Sequence, residues 1–412
     1  MNIAVVGCGI SGITAAYLLR SRHDVRLFEA QPRAGGHAHT VEVQNGTDRI
    51  PVDTGFIVFN DRTYPNFERL LNEWGVAWQP SDMSFSVSSV DEDFEYNGTD
   101  LNGLFAQRRN VLRPRFYKML FDILRFNKSA LNLLADQQDV TLGQFLQTLG
   151  VGDDFLNRYL LPMGAAIWST PLNDMRQFDA RQFVQFFAHH GLLQVSDRPQ
   201  WRVIKGGSKA YVDKALAILG PAVQVNASVQ SIVRHDDRVS LRVDGREQSF
   251  DAVVLACHSD EAMAILADPS ASELSVLGAI PYEANDVVLH TDKWLMPRRK
   301  KAWASWNYRA QNTAHDAVQV TYWMNLLQGL RGPVDYFVSL NMTPAIDPKA
   351  ILGRYSYAHP RFGRGAVTAQ GRWQEISGQR RTHYCGAYWR NGFHEDGAWS
   401  GVRVAKALGV EW

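Results

Sequence analysis

Three cysteines in 412 residues, Cys8, Cys257 and Cys385, are too few and too scattered for a disulfide framework or a paired-cysteine metal site. Each falls in or beside a predicted strand, so each reads as a buried structural thiol. No apolar run approaches the roughly twenty residues that cross a bilayer. No leader-like segment precedes the first predicted strand at residue 2, so the cytoplasm is the expected compartment. Charge of one sign is also lacking: 43 Lys and Arg against 42 Asp and Glu leave a formal charge of +1, and no global field points to nucleic acid. The chain is nevertheless too long for one core and suits two interleaved domains.

What is present is concentrated at the start. Asn2-Ile-Ala-Val-Val6 is a short β-branched apolar run, followed by Gly7-Cys8-Gly9-Ile10-Ser11-Gly12 and by a helical stretch to Arg20. That order reads as buried strand, tight turn, helix. The first glycine allows the turn, the second lets the backbone approach a pyrophosphate and the third lets helix and strand pack, while the helix N-terminus offers unpaired N–H groups. A second predicted strand, 25–28, ends in Glu29, where a carboxylate is placed for ribose hydroxyls. A second glycine doublet follows in Arg33-Ala-Gly35-Gly36-His37-Ala-His39-Thr40, and then Pro51-Val-Asp53-Thr54-Gly55-Phe56. His37 and His39 have no third ligand nearby, so metal is not expected. No second dinucleotide fingerprint appears, which argues against a separate NAD(P) domain.

These stretches resemble the flavin-containing amine oxidase superfamily, which also includes phytoene desaturases. The resemblance implies an α/β fold: a Rossmann-like, glutathione-reductase-like FAD-binding domain interleaved with a substrate domain of mixed sheet plus helices. It implies non-covalent FAD, held by Gly7, Gly9, Ile10, Ser11, Gly12, Glu29 and Ala30. Arg33, Gly35, Gly36 and His37 would follow the diphosphate and ribityl chain, with Thr54 and Gly55 beyond. His37 stands where many members carry arginine. The expected FAD domain is 1–60, 201–272 and 372–412, and the substrate domain is 61–200 (helical part) and 273–371 (sheet part).

Along the helical part, 108–128 carries Arg108, Arg109, Arg113, Arg115, Lys118, Arg125 and Lys128 against Asp122 alone. Phe116, Tyr117, Leu120, Ile123 and Leu124 recur at helical spacing, with Pro114 tolerable at the first turn. Two readings stand level: peripheral contact with the anionic inner face of a membrane, or a solvated basic face. The aromatic stretch 155–170, with Phe183, Phe186 and Phe187, reads as core or as the wall of a tunnel for a long apolar substrate. Further on, 211–219 reads as a helix, 223–233 and 239–243 as paired strands and 250–257 as a buried strand. By the resemblance this returns the chain to the FAD domain, where Val229 meets the adenine through its backbone. Strands at 286–290, 302–308, 318–325 and 336–341 would floor a cavity over the flavin.

Near the C-terminus, a strand ending at Gly386 precedes Gly392-Phe-His394-Glu395-Asp396-Gly397 and a terminal helix. This resembles the superfamily's last FAD motif and implies contacts from Gly386, Glu395, Asp396 and Gly397, with the helix dipole facing the flavin. The acidic residue common after the strand glycine is replaced by Ala387 and Tyr388.

Gly35 to Thr40, Ala166-Ile-Trp-Ser-Thr170, Tyr322-Trp-Met-Asn325 and Gly392 to Gly397 are similar to one bacterial subgroup of NAD/FAD-binding oxidoreductases. Its genes neighbour cyclopropane-synthase-like methyltransferases, and some relatives are linked to furan fatty acid formation. The implied substrate is a modified, methylated fatty acyl chain, free or in a phospholipid, and the implied partner is a lipid methyltransferase. The lysine that many amine oxidases place near the flavin is absent from 279–290, whereas Trp303, Trp306, Tyr308, Tyr322 and Trp323 leave an aromatic cage for an amine open. Acyl desaturation is the first expectation, with His394, Glu395 and Tyr322 as candidate catalytic residues. Each also has a structural reading: a helix cap for Glu395, packing for His394, sheet filling for Tyr322. The alternatives are amine oxidation, double-bond isomerisation, and a non-catalytic flavoprotein partner of the methyltransferase.

Overall fold

A computed structural model of the protein describes residues 1–89, 91–135, 140–194, 197–310 and 317–412. Its organising element is the strand Asn2–Val6, buried after its first residue. Asp24–Phe28 and Ala252–Leu255 flank it in parallel register, and Val223–Gln224 and Thr382–Tyr384 form the two edges of the five-stranded sheet. Three distant stretches of chain therefore build one sheet. All ten residues of the helix Ile10–Leu19 are buried, because the terminal helix His394–Ala407 covers its outer side.

A second sheet has seven strands, in the order Ile351–Pro360, Tyr282–His290, Phe337–Leu340, Val320–Trp323, Trp306–Ala310, Phe85–Ser89 and Phe94–Asn97. Its pairs are antiparallel except Trp306–Ala310 with Phe85–Ser89. The helix Leu161–Trp168, which carries no charged residue, packs against Trp306–Ala310. The 22-residue helix Pro114–Ala135 begins at its proline, where the missing N–H costs nothing. No helix among the described residues is long and apolar enough to cross a membrane. Cys8 and Cys385 are buried, Cys257 is half-buried, and all three are free.

Three elements differ from expectation. Strands Trp78–Pro80, Phe85–Ser89 and Phe94–Asn97 lie in the part read as helical. The run 223–233 is two strands: Asn226, at φ +53°, turns the chain, so that Val223–Gln224 joins the parallel sheet and Val229–Arg234 pairs with Val239–Val243. The ten-residue strand Ile351–Pro360 falls within the expected sheet part but was not among the strands singled out there.

Candidate active site

The first glycine turn is closed by the chain itself. Gly7 sits at φ +102°, and a Cβ on it would meet the Ala256 backbone at 2.9 Å. A Cβ on Gly12 would lie 1.9 Å from the Gly7 carbonyl. Only glycine fits either position, whereas the Cβ direction of Gly9 opens into free space. Glu29 accepts the Cys8 and Gln31 N–H groups, each at 2.9 Å, which fixes its carboxylate beside the turn. Ala227 N–H donates to the Glu29 carbonyl at 2.8 Å, bringing the chain that leads into Val229 alongside Glu29 and Ala30.

The second glycine turn is tied to the first. Gly35 N–H donates to the Cys8 carbonyl at 2.7 Å, and a Cβ on Gly36 would point at the Gly9 Cα, 3.2 Å away. Arg33 donates to the Gly36 carbonyl at 2.9 Å and so closes its own loop. Thr54 and Phe56 N–H groups donate to the His39 and His37 carbonyls, which aligns Thr54 and Gly55 with this turn. His37 Nε2 is shielded from solvent and has no partner among the described residues. Burial first, and then His359, His258 and His394, hold its pKa well below the usual value, so the ring is a neutral donor or acceptor.

Facing this turn are residues that the sequence reading missed, all on Ile351–Pro360. The Tyr357 hydroxyl bridges Thr54 Oγ1 and His39 Nδ1, both at 2.7 Å, and the rings of Tyr357 and His359 lie 5.3 Å from His37. Tyr355 meets His39 edge-on at 5.1 Å. Aromatic residues at alternate positions 355, 357 and 359 were the available signal.

At the C-terminal motif, a Cβ on Gly397 would meet Ile10 Cγ2 at 2.6 Å and Ser11 Oγ at 2.9 Å. Two helix N-termini therefore converge beside Gly9, and their N–H dipoles point into one region. Gly386 N–H is held by Ser400 Oγ at 2.7 Å. Asp396 accepts the Phe393 and Asn391 N–H groups, and burial pushes its pKa up to about 7. His394 stacks on Phe56 at 3.5 Å, its Nε2 lies 2.8 Å from the Tyr211 hydroxyl, and burial lowers its pKa to about 3. The carboxylate of Glu395, expected near the flavin and among the bases, is engaged by another element. Oε1 accepts from Asn66 and Oε2 from Phe67 N–H at 2.9 Å, so it caps the helix Pro65–Glu73.

Tyr322 lies on the seven-stranded sheet, with its ring perpendicular to Trp306 at 4.8 Å. Burial raises its pKa, so the phenol stays protonated. Among the described residues, no hydrogen bond or ring contact joins Tyr322 to the glycine turns. The five aromatic residues of the anticipated cage do not form one enclosure: Trp303 and Trp323 pair separately and hold the Lys300 ammonium, 3.3 and 4.4 Å from their ring centres.

This arrangement can be set beside known proteins. The sequence model for flavin containing amine oxidoreductases matches residues 10–316. The chain belongs to that family. AofH of Mycobacterium tuberculosis, named as a flavin-containing monoamine oxidase, is 26% identical over 365 residues, which is 85% of this chain and 73% of that protein. Two solved structures share the fold, each with a TM-score of 0.71 and each covering 99% of this chain and 98% of its own. They are cyclohexylamine oxidase from Brevibacterium oxydans at 13% identity and a CLA-producing fatty acid isomerase from P. acnes at 15%.

The cofactor of this amine oxidoreductase is FAD, and the residues fit it. The open face of Gly9 and the converging helix N-termini suit a diphosphate. The pinned Glu29 carboxylate suits a ribose, and the orphaned His37 Nε2 is a buried polar atom that lacks a partner until one is bound.

Proposed function

We propose that this FAD-dependent oxidoreductase dehydrogenates a modified, methylated fatty acyl chain, introducing a C=C bond. The observation that carries the reading is the uncharged wall on the substrate side. Leu161–Trp168, which carries no charge and keeps Met163 and Ile167 half-buried, packs on the sheet strand that bears Trp306, while the Trp303 and Trp323 pair already clasps the protein's own Lys300. Such a wall suits an alkyl chain better than an amine.

FAD supplies the acceptor for the hydride removed from the substrate. The chain's candidate groups are poor bases: His394 stays neutral to about pH 3, the Tyr322 phenol keeps its proton, and Glu395 is engaged as a cap. Hydride loss therefore leads and proton loss to a weak acceptor such as water follows, which favours an allylic or branched carbon able to carry positive charge. The faces of Trp306 and Tyr322 can stabilise that charge. The sequence resemblance to proteins encoded beside lipid methyltransferases supports a substrate already methylated by such an enzyme, and a physical partnership with it.

Amine oxidation is the second reading, favoured by the family match and by AofH. Anaerobic titration of the flavin absorbance with methylated phospholipids and then with simple amines separates the two. We expect bleaching by lipid, with a product lighter by two hydrogens. Bleaching by amines alone would establish the oxidase. No bleaching by either would leave isomerisation or an accessory role beside the methyltransferase.

A further inference from the structure

Seven of the fourteen exposed large apolar side chains among the described residues fall between 101 and 131. The helix Pro114–Ala135 explains why. Its inward face, Phe116, Met119, Phe126, Ala130 and Leu133, is buried and satisfies the core. Its outward face carries a second apolar stripe, Tyr117, Phe121, Leu124 and Leu131, at the same four-and-three spacing, with Phe121 69% exposed and Leu124 54%. Leu112, 86% exposed, joins Val111, Pro114, Tyr117, Lys118 and Phe121 around an open groove of about 540 Å³.

The charges around the stripe are predominantly positive. By helical position Lys118 and Arg125 run along one side and Lys128 lies within it. Lys118 and Arg125 share Asp122, and Arg109 and Arg115 pair with Asp93 and Asp154. Arg108, Arg113 and Lys128 have no carboxylate partner among the described residues. A second copy meeting this face with its own would bring like charges together, whereas an anionic bilayer takes both the apolar stripe and the cations.

We propose that this face docks on an anionic lipid bilayer. Leu112, Tyr117, Phe121 and Leu124 reach below the headgroups, and Arg108, Arg113 and Lys128 lie at the phosphates. Docking needs no turnover, so it stands or falls separately from the dehydrogenase reading.

The test is co-sedimentation of the FAD-loaded full chain with vesicles of saturated phosphatidylcholine, with and without phosphatidylglycerol. Binding should appear with phosphatidylglycerol, weaken with salt, and be lost in the double variant Phe121→Asp with Leu124→Asp. Lys128→Gln should weaken it about fivefold. Should the double variant fail to fold, Arg113→Gln with Lys128→Gln keeps the test open, with a loss of about twentyfold or more expected. No binding to anionic vesicles, equal binding to both vesicle types, or undiminished binding by the variants would each overturn the proposal. So would a dimer that the variants abolish in a protein that ignores vesicles.

Discussion

His394 sits in a slot that fixes one face and one nitrogen of its ring. Phe56 stacks on one face, Phe67 and Tyr211 meet it edge-on, and Nε2 reaches the Tyr211 hydroxyl. An imidazole so confined, at the N-terminus of the helix that packs beside the first glycine turn, can orient a substrate or hydrogen-bond partner without changing charge. His394→Ala should keep its FAD, read from the visible spectrum, and lower kcat about a hundredfold. Because the native ring stays neutral down to about pH 3, the kcat profile of the unaltered enzyme should show no histidine limb between pH 5 and 8. A full rate in His394→Ala would remove the residue from the site and leave it as packing.

Glu395, one position on, belongs to another element's stability. Tyr64 provides no side-chain cap for Pro65–Glu73, and the Glu395 carboxylate takes the N–H groups of Asn66 and Phe67 in its place. Glu395→Ala should therefore cost about 1–2 kcal/mol in chemical denaturation and leave kcat unchanged; a lost rate with unaltered stability would reverse that assignment. The contrast between these neighbours shows what the sequence discloses about elements. The turn at Gly7 to Gly12 and the carboxylate of Glu29 were legible because local spacing alone demands strand, turn and helix. Phe85–Ser89 was not, because its serine-rich alternation is weak and, although it pairs locally with Phe94–Asn97, the strand that ties it into the sheet, Trp306–Ala310, lies over two hundred residues away. Ile351–Pro360, and with it Tyr357 at the second glycine turn, did carry a period-two signal in Tyr355, Tyr357 and His359, but Gly353 within the run and Pro360 at its end weaken it as a strand. The role of Glu395 depended on which helix folds back to meet it, a tertiary fact that no local motif encodes.

Across the whole molecule, histidines far apart in sequence share one fate. His190, His290, His383 and His394 are all buried, and burial holds each pKa at about 4 or, for His394, about 3. In the unfolded chain each titrates near 6.5, so below that pH the unfolded state binds protons that the native state refuses, and stability falls as pH falls. Asp53 and Asp396 act in the opposite sense. Their native pKa values, pushed up to about 6 and about 7 by burial, make the folded state bind protons first, which adds stability on acidification. With His39 and His359 also held at about 4 by burial, the imidazoles outnumber these two carboxyls, so unfolding takes up protons between pH 6 and 4.5 and stability falls across that window. Thermal melting followed by circular dichroism at fixed FAD should show the midpoint dropping steeply from pH 6 to 4.5. His190→Gln, which can retain a hydrogen bond to the Phe186 carbonyl, should make that decline shallower by about 1 kcal/mol per pH unit. A midpoint that stays level down to pH 4 would mean that these imidazoles take up their protons within the native fold.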